Sequence, residues 1–411
     1  MRPIACGTPR GYVMPRQRRP EITAQQLQGF KYFRLVPPLL ERLQHIGTER
    51  DRAGNRELFF DQYAALLLLY FFNPVLTGLR SLQQASDLDK VQKLLSVRHC
   101  SLGSLSEATG VFAAEPLRAI VRELADRALP LEHGHDAEAL RGLTAVDGTV
   151  LRALPQMAWA LWMDDRHRAA KLHLHFEVLK GVPVDATVTP AACSEPGQLR
   201  AMLQPGRLYV TDRGYADYQL FRDILGAGSS FVARVKDNAA FTVAEERPIS
   251  EAARRAGVVR DVILARLGTD HRKDAVGRPL RLVVVRRTKP DGTPEELWLV
   301  TDRLDLAAEL VALAYRCRWT VELFFRWFKC VLGCRHLLAT DANGVAIQVY
   351  VALIASLLIT LWTGRKPRKR TWEMIQFYLM GWASLAELEA HLARERARDE
   401  ATARAQRPAA V

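Results

Sequence analysis

Apolar residues recur every three or four positions from Thr23 to about Leu131, which is a helical period. Phe60–Phe72 reads as a buried helix stopped at Asn73-Pro74, because a residue before proline is pushed out of the helical region. Ser81–Leu95 keeps the same spacing. Two short helices, about Leu102–Ala108 and Pro116–Ala128, flank Thr109-Gly110 in a pattern that suits a helix-turn-helix, although most helical hairpins bind nothing. At Leu143 the period drops to two. Thr144–Val150, Lys171–Leu179 and Val184–Thr189 read as an antiparallel meander. A helix at Gln198–Leu203, a buried strand at Arg207–Thr211, a helix at Tyr218–Leu225 and a strand at Ser230–Lys236 follow. Three further strand-like runs, Val258–Leu267, Leu280–Arg287 and Leu297–Thr301, break the α/β rhythm and predict an inserted β-subdomain. Val345–Trp362 is strongly apolar, and Ser384 with Glu387 forms a capping box for the last helix.

The stretch Tyr315–Lys329, YRCRWTVELFFRWFK, predicts an amphipathic helix. At about 100° per residue, Tyr315, Arg318, Glu322 and Lys329 share one narrow stripe. Cys317, Val321, Phe324 and Phe328 take the opposite side, and Phe325 sits at the stripe's edge. Such a stripe either faces something anionic or metallic, or is a solvated charged face.

Composition narrows the choice. With 411 residues and 49% hydrophobic side chains, the chain supports two or three packed units. Its net charge of +13, from 58 Lys and Arg against 45 Asp and Glu, favours a polyanionic partner such as nucleic acid. Six cysteines in a chain this long do not make a disulfide scaffold, and Cys330 with Cys334 reads as two small helix residues. The Arg/Pro-rich start lacks the apolar core of a signal peptide, and the apolar run at 345–362 reads as a buried helix, not a membrane span. A reducing, cytoplasmic, nucleoid-associated setting without a membrane role is expected. The expected organisation is a disordered basic N-terminus at 1–20 and a helical domain at 21–139 that is a candidate for DNA binding. A catalytic core at 140–236 and 301–364 follows, split by the β-insertion at 237–300, with a basic and helical tail at 365–411. The basic run GRKPRKR, residues 364–370, reads as solvated or near DNA.

Metal-catalysed phosphodiester cleavage needs carboxylates around divalent ions about 3.5–4 Å apart, and hard oxygen ligands select Mg²⁺ or Mn²⁺. Asp147 in the first strand, Asp212 just past the fourth and Glu322 on the amphipathic helix form such a set. Each alone reads equally as a turn or surface acid. Together they sit where one fold places its site, since the strand order is that of an RNase H-like α/β core whose first and fourth strands are neighbours.

The chain resembles DDE transposases of bacterial insertion sequences, in the IS-four-like branch marked by Tyr-x2-Arg-x3-Glu-x6-Lys. Tyr315, Arg318, Glu322 and Lys329 keep that spacing, with AVDGT at Ala145–Thr149, KLH at Lys171–His173 and VTDRGY at Val210–Tyr215. The resemblance covers about Leu143–Trp362, and the N-terminal third shares only its helical character. It implies that Asp147, Asp212 and Glu322 bind Mg²⁺, with Mn²⁺ as a substitute, and that Tyr315, Arg318 and Lys329 hold transposon-end phosphates. It further implies that an aromatic residue at the end of the insertion traps a flipped base. Trp298 occupies that place and reads equally as a buried strand residue. Trp319, beside the polar stripe, is a second stacking candidate, and Lys171 and His173 read as site-facing or as strand surface.

The expected function is cut-and-paste DNA transposition on double-stranded inverted repeats and target DNA, by a homodimer that cleaves, forms a hairpin and transfers strands. The alternatives are an RNase H-like nuclease without strand transfer and an inactive, transposase-derived DNA-binding protein. The stripe with Trp298 argues against the first, and three intact acids argue against the second.

Overall fold

The structure is a computed structural model that describes residues 37–44, 46, 57–131, 134–152, 157–164, 167–269 and 276–405. The basic segment at 1–20, the start of the helical segment at 21–139 and the last residues of the tail lie outside the described residues.

Among the described residues seven α-helices come first: α1 (Pro37–Leu40), α2 (Phe60–Phe72), α3 (Leu79–Ser86), α4 (Asp89–Leu95), α5 (Leu102–Val111), α6 (Glu115–Arg127) and α7 (His135–Ala139). Four strands follow, β1 (Leu143–Arg152), β2 (Leu161–Asp164), β3 (His167–Glu177) and β4 (Val182–Pro190). Then come α8 (Glu195–Ala201), β5 (Leu208–Thr211), α9 (Tyr218–Gly226) and β6 (Ser230–Val235). β7 (Phe241–Glu246), α10 (Glu251–Arg255), β8 (Val258–Leu267), β9 (Leu280–Thr288) and β10 (Pro294–Thr301) fill the insertion. The chain closes with α11 (Ala308–Cys317), α12 (Trp319–Cys330), α13 (Ala342–Thr363), α14 (Lys369–Leu379) and α15 (Leu385–Ala405).

β3 pairs antiparallel with β1 on one edge and with β4 on the other. β1 runs parallel to β5, and β5 parallel to β6. Leaving aside the short β2, the order is third, second, first, fourth, fifth, which is the RNase H-like arrangement expected from the pattern. The period of two sorts the strands between two layers. Val146, Tyr209, Phe231 and Ala233 pack with Leu199 of α8 and Phe221 of α9 on one face. Ala145, Val210 and Val232 pack with Val311 of α11 and with Val321 and Phe328 of α12 on the other.

The insertion does not stand apart from this sheet. β10 pairs antiparallel with β6, and β9, β8 and β7 continue outward, so one sheet of ten strands runs through both parts. The physical reason is that β6 would otherwise present an open edge, which β10 covers. Inside the extension, Arg281 grips Asp261 with two bonds of 2.7 Å, both side chains being buried.

The would-be helix-turn-helix also has another role. α5 runs through Thr109-Gly110 to Val111, and the turn falls at 112–114. α6 buries Leu117, Ile120, Val121 and Leu124, and its Arg118 and Arg122 reach the buried Asp185 of β4 at 2.8 and 2.9 Å. One face of the helix is thus committed to the core, while Arg127 on its last turn remains half exposed. α13 is apolar and long enough to cross a membrane, but most of its residues are buried within the protein, packed against α2, α5, α6 and β4. The basic run after it is anchored: Arg365 is buried and reaches Asp399 of α15 at 2.6 Å. Ser384 and Glu387 make the capping box, with the Ser384 N–H donating to Glu387 at 2.7 Å.

Candidate active site

β1 outruns β5. Their pairing ends at Ala145 and Val210, so the edge of β1 at Asp147 and Gly148 is left uncovered by β5. Asp212 is the first residue past β5 and caps the turn Arg213–Tyr215, its Oδ1 accepting from the Gly214 N–H at 2.8 Å. The parallel order of β1 and β5 therefore brings two acids that are distant in sequence to the same sheet edge. Asp147 accepts from the Gly148 N–H at 2.8 Å.

The third acid arrives on the helical layer. Glu322 lies in the first turn of α12, whose Val321, Phe324, Phe325, Trp327 and Phe328 are buried. Arg318 links it to the first strand: its guanidinium donates to Glu322 Oε1 at 2.7 Å and stands 3.6 Å from Asp147 Oδ2. At the far end of α12, Lys329 Nζ donates to the Thr149 hydroxyl at 2.8 Å. The helix is thus tied to β1 on both sides of Glu322.

The stretch 315–329 is not one straight helix. α11 ends at Cys317 and α12 begins at Trp319. The Thr320 hydroxyl donates to the Cys317 carbonyl at 2.7 Å, taking an acceptor that a continuing helix would offer to Val321. The Val321 N–H turns to the Arg318 carbonyl at 3.2 Å instead. Arg318 therefore sits at the junction, with its side chain free to lie between two carboxylates. Tyr315 is buried at the end of α11, with the Arg318 guanidinium carbon 5.9 Å from its ring centre.

Electrostatics mark Asp147 most strongly. Burial pushes its carboxyl up to about 6. The Gly148 N–H and Arg318 pull the other way, while Asp212 and Glu322 add to the rise. Negative charge is therefore crowded here. Among the described residues no three His, Cys, Asp or Glu side chains converge closely enough to hold a metal ion as they stand. The donor chemistry does fit a hard divalent cation, and one cationic group, the Arg318 guanidinium, already lies between two of the acids.

Trp319 opens α12 with half of its surface exposed, 51%, close to Glu322 in sequence and beside the exposed Leu323. Trp298 stands elsewhere. It pairs with Val235 of β6 and packs edge-on against Phe241 at 5.6 Å, on the face of the sheet opposite α12. It is not brought to the polar stripe. Lys171 reaches Glu195 at 3.0 Å, whereas His173 is buried and bonds Thr189 at 2.9 Å. Burial holds its imidazole down at about 4.

Two polar residues here escape the sequence reading. Arg234 of β6 donates to Glu295 at 2.8 Å, and the Tyr315 phenol is among the groups that hold its guanidinium charged. A cation inside an otherwise apolar strand, SFVARVK, was its one available signal. Glu195 opens α8 beside Gly148 and gives no signal, because only the packing of α8 brings it there.

The model of the transposase DDE domain matches residues 138–358, more than half of the chain. A protein of Sinorhizobium fredii described as a transposase is 29% identical over 220 residues, covering 53% of this chain and 60% of that one. One from Geobacillus stearothermophilus, described as a transposase for an insertion sequence element, is 26% identical over 230 residues, covering 56% and 58%. The chain thus spans less than two thirds of the length of either relative. Among solved structures, a piggyBac transposase synaptic complex with hairpin DNA aligns over 94% of this chain and 84% of that one, with 12% identity and a TM-score of 0.40. The matched span takes in Asp147, Asp212 and Glu322 together, and by it the chain belongs to the transposase DDE domain family.

Proposed function

We propose that the protein is a cut-and-paste DNA transposase of an insertion sequence, acting as a homodimer on the inverted repeats of its own element. The observation that supports this reading is the Arg318 guanidinium lying between Asp147 and Glu322 at the open edge of β1, with Asp212 just past the neighbouring strand β5. Asp147, Asp212 and Glu322 would hold Mg²⁺, or Mn²⁺ in its place. A divalent ion there supplies a Lewis acid for the phosphate and acidifies water.

The chain's own residues bind and orient the DNA. Arg318 and Lys329, at opposite ends of the Glu322 helix, take separate phosphates of one strand. Tyr315, whose ring lies beside the Arg318 guanidinium, lines the same side. Trp319, half exposed and three residues before Glu322, would offer a base-stacking face, an interaction worth roughly 1–3 kcal/mol. Trp298 traps a base only if DNA reaches the opposite face of the sheet, where it packs on Phe241. Each step is an in-line displacement in which one P–O bond forms and one breaks. Water cuts one strand to leave a 3′-hydroxyl, and that hydroxyl attacks the other strand to give a hairpin. Water reopens the hairpin, and the freed 3′-hydroxyl attacks target DNA. One site therefore serves the whole series.

Asp147→Asn, Asp212→Asn and Glu322→Gln should each abolish cleavage of end DNA with Mg²⁺ while leaving end binding intact, since Lys and Arg contacts to phosphate dominate affinity. A gel assay resolving nick, hairpin and double-strand break reads this directly. Near-parental nicking by any one of the three would remove that acid from the ligand set.

A further inference from the structure

α14 and α15 pack against each other across a short turn and leave an open groove between them, of about 350 Å³. α14 lines it with Arg370, Met374 and Phe377, at the i, i+4, i+7 spacing of one helical face. α15 lines it with His391, Arg394 and Arg398, at i, i+3, i+7. The two acids of the groove are already engaged. Glu395 is buried and pairs with Arg365 and Arg398, and Glu373 lies 3.5 Å from Lys369. Among the described residues no acid pairs with Arg370 or Arg394, and both are exposed. Two guanidinium groups that share a groove without a counter-ion are complementary to a polyanion.

The turn end of the groove is aromatic. Gly381, with a φ of 78°, ends α14 in a Schellman turn. The Trp382 N–H donates to the Phe377 carbonyl at 2.8 Å, and the Gly381 N–H to the Tyr378 carbonyl at 3.0 Å. This turn sets the rings of Phe377 and Trp382 together, with 6.0 Å between centres and 25° between planes. A contact of this kind ordinarily shields apolar surface, yet the two side chains remain 41% and 75% exposed. Fixed, solvent-facing rings beside unpaired arginines combine a stacking face for a base with a grip for phosphate. Bases within a duplex stack on one another and offer no free face, so the partner that fits is single-stranded.

We propose that the α14–α15 groove is a second nucleic-acid site, which takes single-stranded DNA, with a base on Phe377 and Trp382 and phosphates on Arg370 and Arg394. It goes beyond the catalytic reading, because none of these residues belongs to the set on β1 and α12 and no metal takes part.

The test is fluorescence anisotropy of a short labelled oligothymidylate and of an abasic strand of the same length. Both are titrated with the full chain, without metal, across a salt series. The parent should prefer the strand that carries bases. Trp382→Ala should remove that preference, a loss of at least about fivefold. Arg370→Gln and Arg394→Gln should weaken both strands, each lowering the log–log salt slope by about 0.7. Binding of duplex end DNA should stay parental in all three variants. Parental oligothymidylate binding by all three overturns the proposal. Equal loss of single-strand and duplex binding also overturns it, since the groove would then be a general phosphate contact. A dimer that Trp382→Ala dissociates, with oligothymidylate binding unchanged, overturns it by assigning the rings to a second copy of the chain. Cleavage plays no part in the measurement, so the catalytic reading stands or falls separately.

Discussion

At the scale of single residues, the site is arranged against its own stability. Asp147 carries a carboxyl held at about 6, up from an ordinary 3.8, chiefly by burial. Folding therefore favours its protonated form. That contribution is complete below about pH 4 and is lost as the pH rises through about 6, leaving a buried charge above it. At about 1.36 kcal/mol per unit, the difference amounts to roughly 2–3 kcal/mol. Asp147→Asn should accordingly raise the melting temperature by a few degrees at pH 8 and by nothing at pH 4. Thermal melts across that range check it, and an unchanged midpoint at pH 8 would mean that the carboxylate is already well solvated.

At the scale of elements, α12 carries Glu322, the third acid of the proposed site. Its buried aromatic face fixes it on the sheet, and Arg318 and Lys329 tie its two ends to β1. The ends lie about 16 Å apart at roughly 1.5 Å per residue, too far to grip one phosphate. Removing either cation should weaken end-DNA binding and lower the log–log salt slope by about one unit. Arg318→Lys should also be impaired, because an ammonium lacks the two-pronged grip of a guanidinium. Binding across a salt series without metal measures this. Parental slopes in both alanine variants would return the polar stripe to an ordinary solvated face.

At the scale of the molecule, the N-terminal helices and the catalytic sheet share one hydrophobic core. α13 is its centre, with Leu66, Leu124, Val184 and Leu353 in the same cluster. Asn343, near the start of α13, fastens the turn between α5 and α6. It accepts from the Ala114 N–H at 3.0 Å and donates to the Thr109 and Phe112 carbonyls at 2.7 and 2.6 Å. The described part should therefore unfold in one calorimetric transition. Asn343→Ala should lower its midpoint without splitting it, at a cost of about 1–3 kcal/mol for the stranded polar groups. Two separated transitions in the parent would show that the helical part folds as its own unit.

The local signals in the sequence determined the strands of the core, the buried helices, the capping box at Ser384 and the fixed spacing of Tyr315, Arg318, Glu322 and Lys329. These follow from periodicity and motif, which act over a few residues. Tertiary structure alone decided the rest. Thr320 broke the key helix at Arg318 by taking a backbone acceptor. An uncovered β6 edge drew the insertion into the main sheet. The buried charge of Asp185 claimed Arg118 and Arg122 of α6. Sheet alternation carried Trp298 to the face away from α12, and only the packing of α8 laid Glu195 over Gly148. Each of these depends on partners far apart in the chain, and local periodicity holds no record of them.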